Sequence, residues 1–182
     1  MSHLWFRQTA LAAALVLTPT LCVAQDVFGT LTATIESTER NWFLTADGEQ
    51  SQSHGLTIAV ANLQSFSLWG QPTENTVAEA KDSLLLKFDI MSVGGKTVPL
   101  NVSLTYLADG WASGWLADEG EQTALSLTTL EEVDGGLLLE GRFSSTAYYS
   151  NNLMTGQVDP SQKMQIDGTF SANLPEALLK EQ

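Results

Sequence analysis

The chain holds one cysteine, Cys22, and two histidines among its 182 residues. With so few nitrogen and sulfur ligands, zinc sites built from several His and Cys side chains are excluded, and so are iron–sulfur clusters. Basic side chains are scarce too. Eight Lys and Arg stand against 21 Asp and Glu, a formal net charge of −13. Nucleic acid and anionic lipid heads are bound through Lys and Arg, so this balance repels both, keeps the chain soluble and leaves cations or basic surfaces as electrostatically tolerated partners. No glycine-rich phosphate loop, G-x-S-x-G elbow or H-E-x-x-H motif occurs. The sequence therefore calls for no cofactor, and it points to no catalytic group and no metal ligand.

Long hydrophobic runs are missing as well. The apolar centre of "ALAAALVLTPTLCVAQ", residues 10–25, runs only from Leu11 to Leu17. A membrane-spanning helix needs about 20 such residues. Arg7 precedes this centre, and Pro19 and the small-x-small sequence Cys22-Val23-Ala24 follow it. That order is the layout of a cleaved secretory signal. We expect a leader of residues 1–24, a cut after Ala24, and one domain over residues 25–182, in the periplasm of a bacterium or secreted. The rival reading, a lipoprotein acylated on Cys22, meets Leu21 where that processing takes a small residue. Cleavage also removes the cysteine. Thiol nucleophiles and disulfides go with it, so burial alone must stabilise the fold.

What the chain does have is alternation. "TVPLNVSLTY" sets Val98, Leu100, Val102, Leu104 and Tyr106 against Pro99, Asn101, Ser103 and Thr105. "KMQIDGTFSANL", "LLLKFDI", "LTATI" and "GLTIAVA" repeat the pattern, and 41–46, 65–69, 111–116, 124–131 and 137–149 read as further strands. Period-2 alternation marks half-buried strands. Asp47-Gly48, Gly94-Gly95, Asp109-Gly110 and Asp134-Gly135-Gly136 supply turns between them. Pro99 lacks an N–H, which places it at a sheet edge or outside the ladder.

The expectation is an all-β fold: an antiparallel β-sandwich of about ten short strands, with at most one or two short helices, at "TENTVAEAKDS" and "PEALLKEQ". The outward residues are Thr, Ser, Asn, Gln and Asp rather than an apolar band, so no membrane insertion is expected. One phrase recurs at Gly29, Gly141 and Gly168 as "GTLTAT", "GRFSST" and "GTFSAN". Its spacing is not periodic, which argues against a solenoid and for three similarly bent strands lying as neighbours in one sheet.

Candidate chemistry is thin. His54, in "EQSQSHGLT", reads as a solvated loop histidine. Asp118, Glu119 and Glu121 form an acidic loop without the D-x-D-x-D-G order of a calcium site. The most suggestive stretch is "LADGWASGWLADEGEQ". On an extended strand, Trp111 and Trp115 would share a face and offer a stacking platform, with Asp109 and Asp118 at its edges. The bland alternative puts both rings in the core. Tyr148-Tyr149 before "SNN" is a second candidate rim.

The reading is an exported, non-enzymatic module that binds a ligand or a protein. Its alternatives are a carboxylate-dependent hydrolase and a structural component that assembles through an exposed edge strand. The oligomeric state is not encoded in any of these features.

Overall fold

The computed structural model describes residues 25–58, 62–118 and 122–181. The expected leader, with Cys22 and the cut after Ala24, lies outside the described residues. The fold is all-β. Its strands are β1 (Asp26–Ile35), β2 (Thr38–Ala46), β3 (His54–Ile58), β4 (Leu63–Gly70), β5 (Ser83–Val93) and β6 (Lys96–Trp111). They continue as β7 (Gly114–Ala117), β8 (Thr123–Val133), β9 (Gly136–Ser150), β10 (Asp159–Pro175) and β11 (Leu179–Glu181).

All eleven strands belong to one sheet, in the order β11-β3-β4-β5-β6-β7-β9-β10-β1-β2, with β8 attached to β9 alone. Every pairing is antiparallel except that of β11 with β3. The sandwich's facing layers therefore come from a single hydrogen-bonded path folded over on itself. Phe88 of β5 meets Phe170 of β10 at 5.7 Å between ring centroids, and Trp42 of β2 meets Tyr106 of β6 at 6.0 Å. Neither pair belongs to neighbouring strands, so these rings are where opposite walls touch. Leu31, Leu44, Leu68, Leu86, Leu104, Leu139, Ile166 and Leu174 fill the space between, all fully buried. Inward and outward residues alternate along β1, β9 and most of β10, as burial of one face requires, whereas Ser83–Leu86 of β5 and 44–46 of β2 are buried on both faces.

The three glycine phrases fall on adjacent strands, β9, β10 and β1. Gly141 lies opposite Phe170, and Gly168 lies opposite Phe143. A Cβ on Gly141 would stand 2.6 Å from the Phe170 ring, and one on Gly168 would stand 2.5 Å from the Phe143 ring. Each glycine thus makes room for the phenylalanine across from it.

Three local expectations change. The face of "TVPLNVSLTY" inverts at Asn101, whose φ is +48°, because a bulge interrupts the β5–β6 register there. Val102, Leu104 and Tyr106 are buried, while Val98 and Leu100 turn to the other side, with Val98 exposed. Residues 73–83 do not form helical turns. The carbonyls a helix would use are taken by side chains instead: Val77 by Gln71 Nε2 (3.0 Å), Glu79 by Ser83 Oγ (2.6 Å) and Asp82 by Trp42 Nε1 (2.7 Å). They form an irregular strap. The C-terminal stretch makes a single 3-10 turn at Glu176–Leu178, then pairs with β3 as β11.

Candidate functional site

The four residues singled out from sequence do not make one platform. β6 ends at Trp111, and Gly110, with φ +59°, opens a turn closed by Asp109 N–H to Ser113 O (3.1 Å) and Ala112 N–H to Asp109 O (3.3 Å). The chain therefore reverses between the two indoles. Trp111 goes to the strap, edge to face with Trp69 at 5.9 Å, beside the ion pair of Lys81 with Asp109 (2.9 Å). The Asp109 carboxylate holds the Lys81 ammonium above its ordinary pKa, first by hydrogen bonding and then by charge. Trp115 goes the other way, opposite Tyr149 of β9, with ring centroids 5.5 Å apart and planes at 66°. Asp118 is exposed just beyond β7, and Glu119 and Glu121 lie outside the described residues.

The structure instead joins Trp115, half-buried, to the second aromatic candidate. Tyr149 lines a cavity of about 280 Å³ with Asn151, Gln157, Val158, Asp159 and Gln162. Hydrogen bonds within the β9–β10 connection shape it. Ser150 Oγ donates to Gln157 O (2.6 Å), Asn152 caps the 3-10 turn Leu153–Thr155 through Met154 N–H (3.1 Å), and Gly156 ends that turn at φ +66°. Asp159 anchors the far side by accepting from Ser161 Oγ (2.6 Å), Gln162 Nε2 (2.8 Å) and Ser161 N–H (2.9 Å). Those bonds hold its carboxyl below the usual carboxylate range. The side-chain amides of Asn151 and Gln157 are exposed to solvent and make no hydrogen bond to other described residues. They are open donors and acceptors beside an aromatic pair.

At one end of the core, Arg40 Nη1 donates to Asp82 Oδ1 (2.9 Å) and to the Tyr106 hydroxyl (2.8 Å), and that hydroxyl donates to Asp82 Oδ1 (2.5 Å). Burial, and then the Asp82 carboxylate, push the Tyr106 phenol up to about 12. This cluster ties the strap to β2 and β6. The sheet is also split. β6 pairs with β7 only through Leu104, Thr105 and Tyr106, and β8 pairs with β9 alone. Between β8 and the first half of β6 lies a groove of about 460 Å³, lined among others by Thr97, Pro99, Leu125, Leu127, Leu130 and Glu131.

His54 begins β3, exposed, above a shallow hollow that also holds Ser65, Ser67, Lys87 and Asp89. Ser65 gives its hydroxyl to Asp89, which also accepts from Asn101 Nδ2 (2.8 Å). No group of three or more His, Cys, Asp or Glu side chains suited to a metal occurs among the described residues. No helix among them is long and apolar enough to cross a membrane. Sequence reasoning named Trp115 and Tyr149 separately and missed Gln157, Asp159 and Gln162. A signal for Asp159 was present in "DPSQ", where an Asp precedes a serine by two residues, the spacing of an Asx turn. Compared with protein-family models, curated proteins and solved structures, the chain matches none of them.

Proposed function

We propose that the protein is an exported, non-enzymatic binding module that takes a neutral, hydroxyl-rich ligand, a glycan end, on the cup beside Trp115 and Tyr149. The observation that supports this reading is Tyr149, paired edge to face with the half-buried Trp115, lining a cup whose exposed Asn151 and Gln157 amides make no side-chain hydrogen bond to other described residues. Aromatic faces cover the C–H faces of sugar rings, and amides both donate to and accept from the hydroxyls around them. The formal charge of −13 disfavours anionic polysaccharides and leaves neutral ones. Export rests on the leader-like order of Arg7, the apolar centre and Cys22-Val23-Ala24.

The test is a screen of the protein on an array of neutral glycans, with hits measured by titration calorimetry. A saturable hit should weaken by at least about tenfold in both Trp115→Ala and Tyr149→Ala, the loss of one good contact of about 1.4 kcal/mol. Trp111→Ala, on the opposite side of the turn, should leave it unchanged. An array without hits, or hits indifferent to Trp115 and Tyr149, removes the proposal.

A further inference from the structure

We infer that the split between β6 and β8 is a docking groove for an extended, basic segment of another protein, added to the sheet as a strand along β8. This inference is independent of the glycan cup, since the two sites share no residue. β8 runs for eleven residues, Thr123–Val133, and contains neither lysine nor proline. Its ladder is satisfied by β9 on one side only. Alternate N–H and C=O groups of an antiparallel strand point away from its partner, so β8 presents a row of unused donors and acceptors to the groove.

The opposite bank explains why the chain does not close the gap itself. Thr97 and Pro99 face β8 from β6, and Pro99 has no N–H to give. The bulge at Asn101 bends β6 just beyond them, and a second bulge between Leu127 and Thr129 bends β8. β6 thus furnishes a wall and β8 a template. Leu125, Leu127 and Leu130 are only half-buried at this wall, although they pack on the central core. They form apolar contacts at strand spacing, which an incoming strand would cover with its own alternate side chains.

Charge selects the occupant. Among the groove's lining residues Glu131 is the charged one, and exposed Glu132 follows it. Lysine or arginine on the incoming strand meets these carboxylates and the formal charge of −13 behind them. A second copy of this chain would bring the same negative charge to the contact and be repelled.

The experiment uses three fluorescent synthetic peptides: alternating valine and threonine flanked by lysines, the same core flanked by glutamates, and a lysine-flanked version with the valines grouped together. Amide hydrogen exchange of the protein is followed with and without each. The lysine-flanked alternating peptide should bind at least about tenfold more tightly than the other two, and should slow exchange of the β8 amides that point away from β9. The double variant E131K/E132K, altered only at exposed positions, should lose that preference while keeping its fold. The inference is overturned if no peptide binds, if the glutamate-flanked peptide binds equally well, or if protection appears on other strands. It is also overturned if light scattering finds a dimer whose β8 amides are already protected, for the occupant would then be a second copy.

Discussion

The sheet is left incomplete in two places, and the chain finishes them in different ways. Where β2 comes back towards β4, Phe43 and Gln71 exchange backbone hydrogen bonds of 2.9 and 2.8 Å, and the strap 71–82 lies across the join. Long polar side chains do the tying: Arg40 to Asp82, Trp42 to the Asp82 carbonyl, and Gln71 to Val77 and Glu79. Between β6 and β8 no comparable tie occurs among the described residues. The groove there is lined mainly by leucines, Pro99 and the short hydroxyl side chains of Thr97, Ser126, Thr128 and Thr129, which lack the reach of Arg40 or Gln71. A seam closes where side chains supply what the backbone ladder lacks. A split persists where they do not.

That contrast makes the seam the costly place to disturb. Trp42 is buried to within 1% of its surface, contacts Tyr106 and donates to the strap. Trp42→Ala should cost about 3–5 kcal/mol, read as a fall in the urea midpoint. A loss no greater than that of a single exposed residue would show that the seam contributes little. Gln71 comes next. It is 1% exposed, and both ends of its amide are used, Nε2 by Val77 O and Oε1 by Glu79 N–H. Gln71→Ala strands both strap groups and should cost about 2 kcal/mol. It should also speed proteolysis within residues 72–82 while leaving cleavage elsewhere unchanged.

A gentler probe of the seam is alkali. The Tyr106 phenol is raised from 10.0 to about 12 in the fold, so the unfolded chain ionises first as pH rises. Its contribution to stability is complete below pH 10 and is lost as pH climbs to about 12. The loss should be smaller than that of Gln71, because Arg40 and Asp82 beside the phenol are partly open to solvent. Tyr106→Phe should flatten the stability curve in that window and nowhere else. A variant that keeps the same alkaline slope would assign the effect to another group.

Much of this architecture was legible in the sequence, for reasons specific to its residues. Alternation in β1 and β10 survives because those strands bury one face along most of their length, whereas Leu85 of β5 is buried opposite Leu84 and Leu86. Gly29, Gly141 and Gly168 marked neighbouring strands because close approach leaves no space for a Cβ. Turns at Gly94-Gly95 and Gly135 carried their usual residues. The β1–β2 turn did not: Glu36 and Ser37 adopt φ of +49° and +67° without glycine. The strap was hidden for another reason. Its helix-forming composition is overridden by Trp42 from a distant strand and by Gln71 and Ser83 at its own ends, whose side chains capture its carbonyls. The cup was least visible, since it gathers Tyr149 and Asp159 from two strands and sets Trp115 of a third against Tyr149, in a register no local pattern reveals.

The split should tolerate change that the seam does not. Leu127 is half-buried and borders solvent through the groove, so Leu127→Ala should cost about 1 kcal/mol, against the 2–5 kcal/mol of a fully buried leucine. Glu131→Lys touches an exposed side chain and should shift stability by less than about 0.5 kcal/mol. Denaturant midpoints for these two variants, set beside those of Trp42→Ala and Gln71→Ala, rank the two gaps directly. If Leu127→Ala costs as much as Trp42→Ala, then β8 is already locked against β6 in solution and the groove is closed to a partner. If the ranking holds, the edge of β8 is free to change without harm to the fold, as a surface kept for a partner must be.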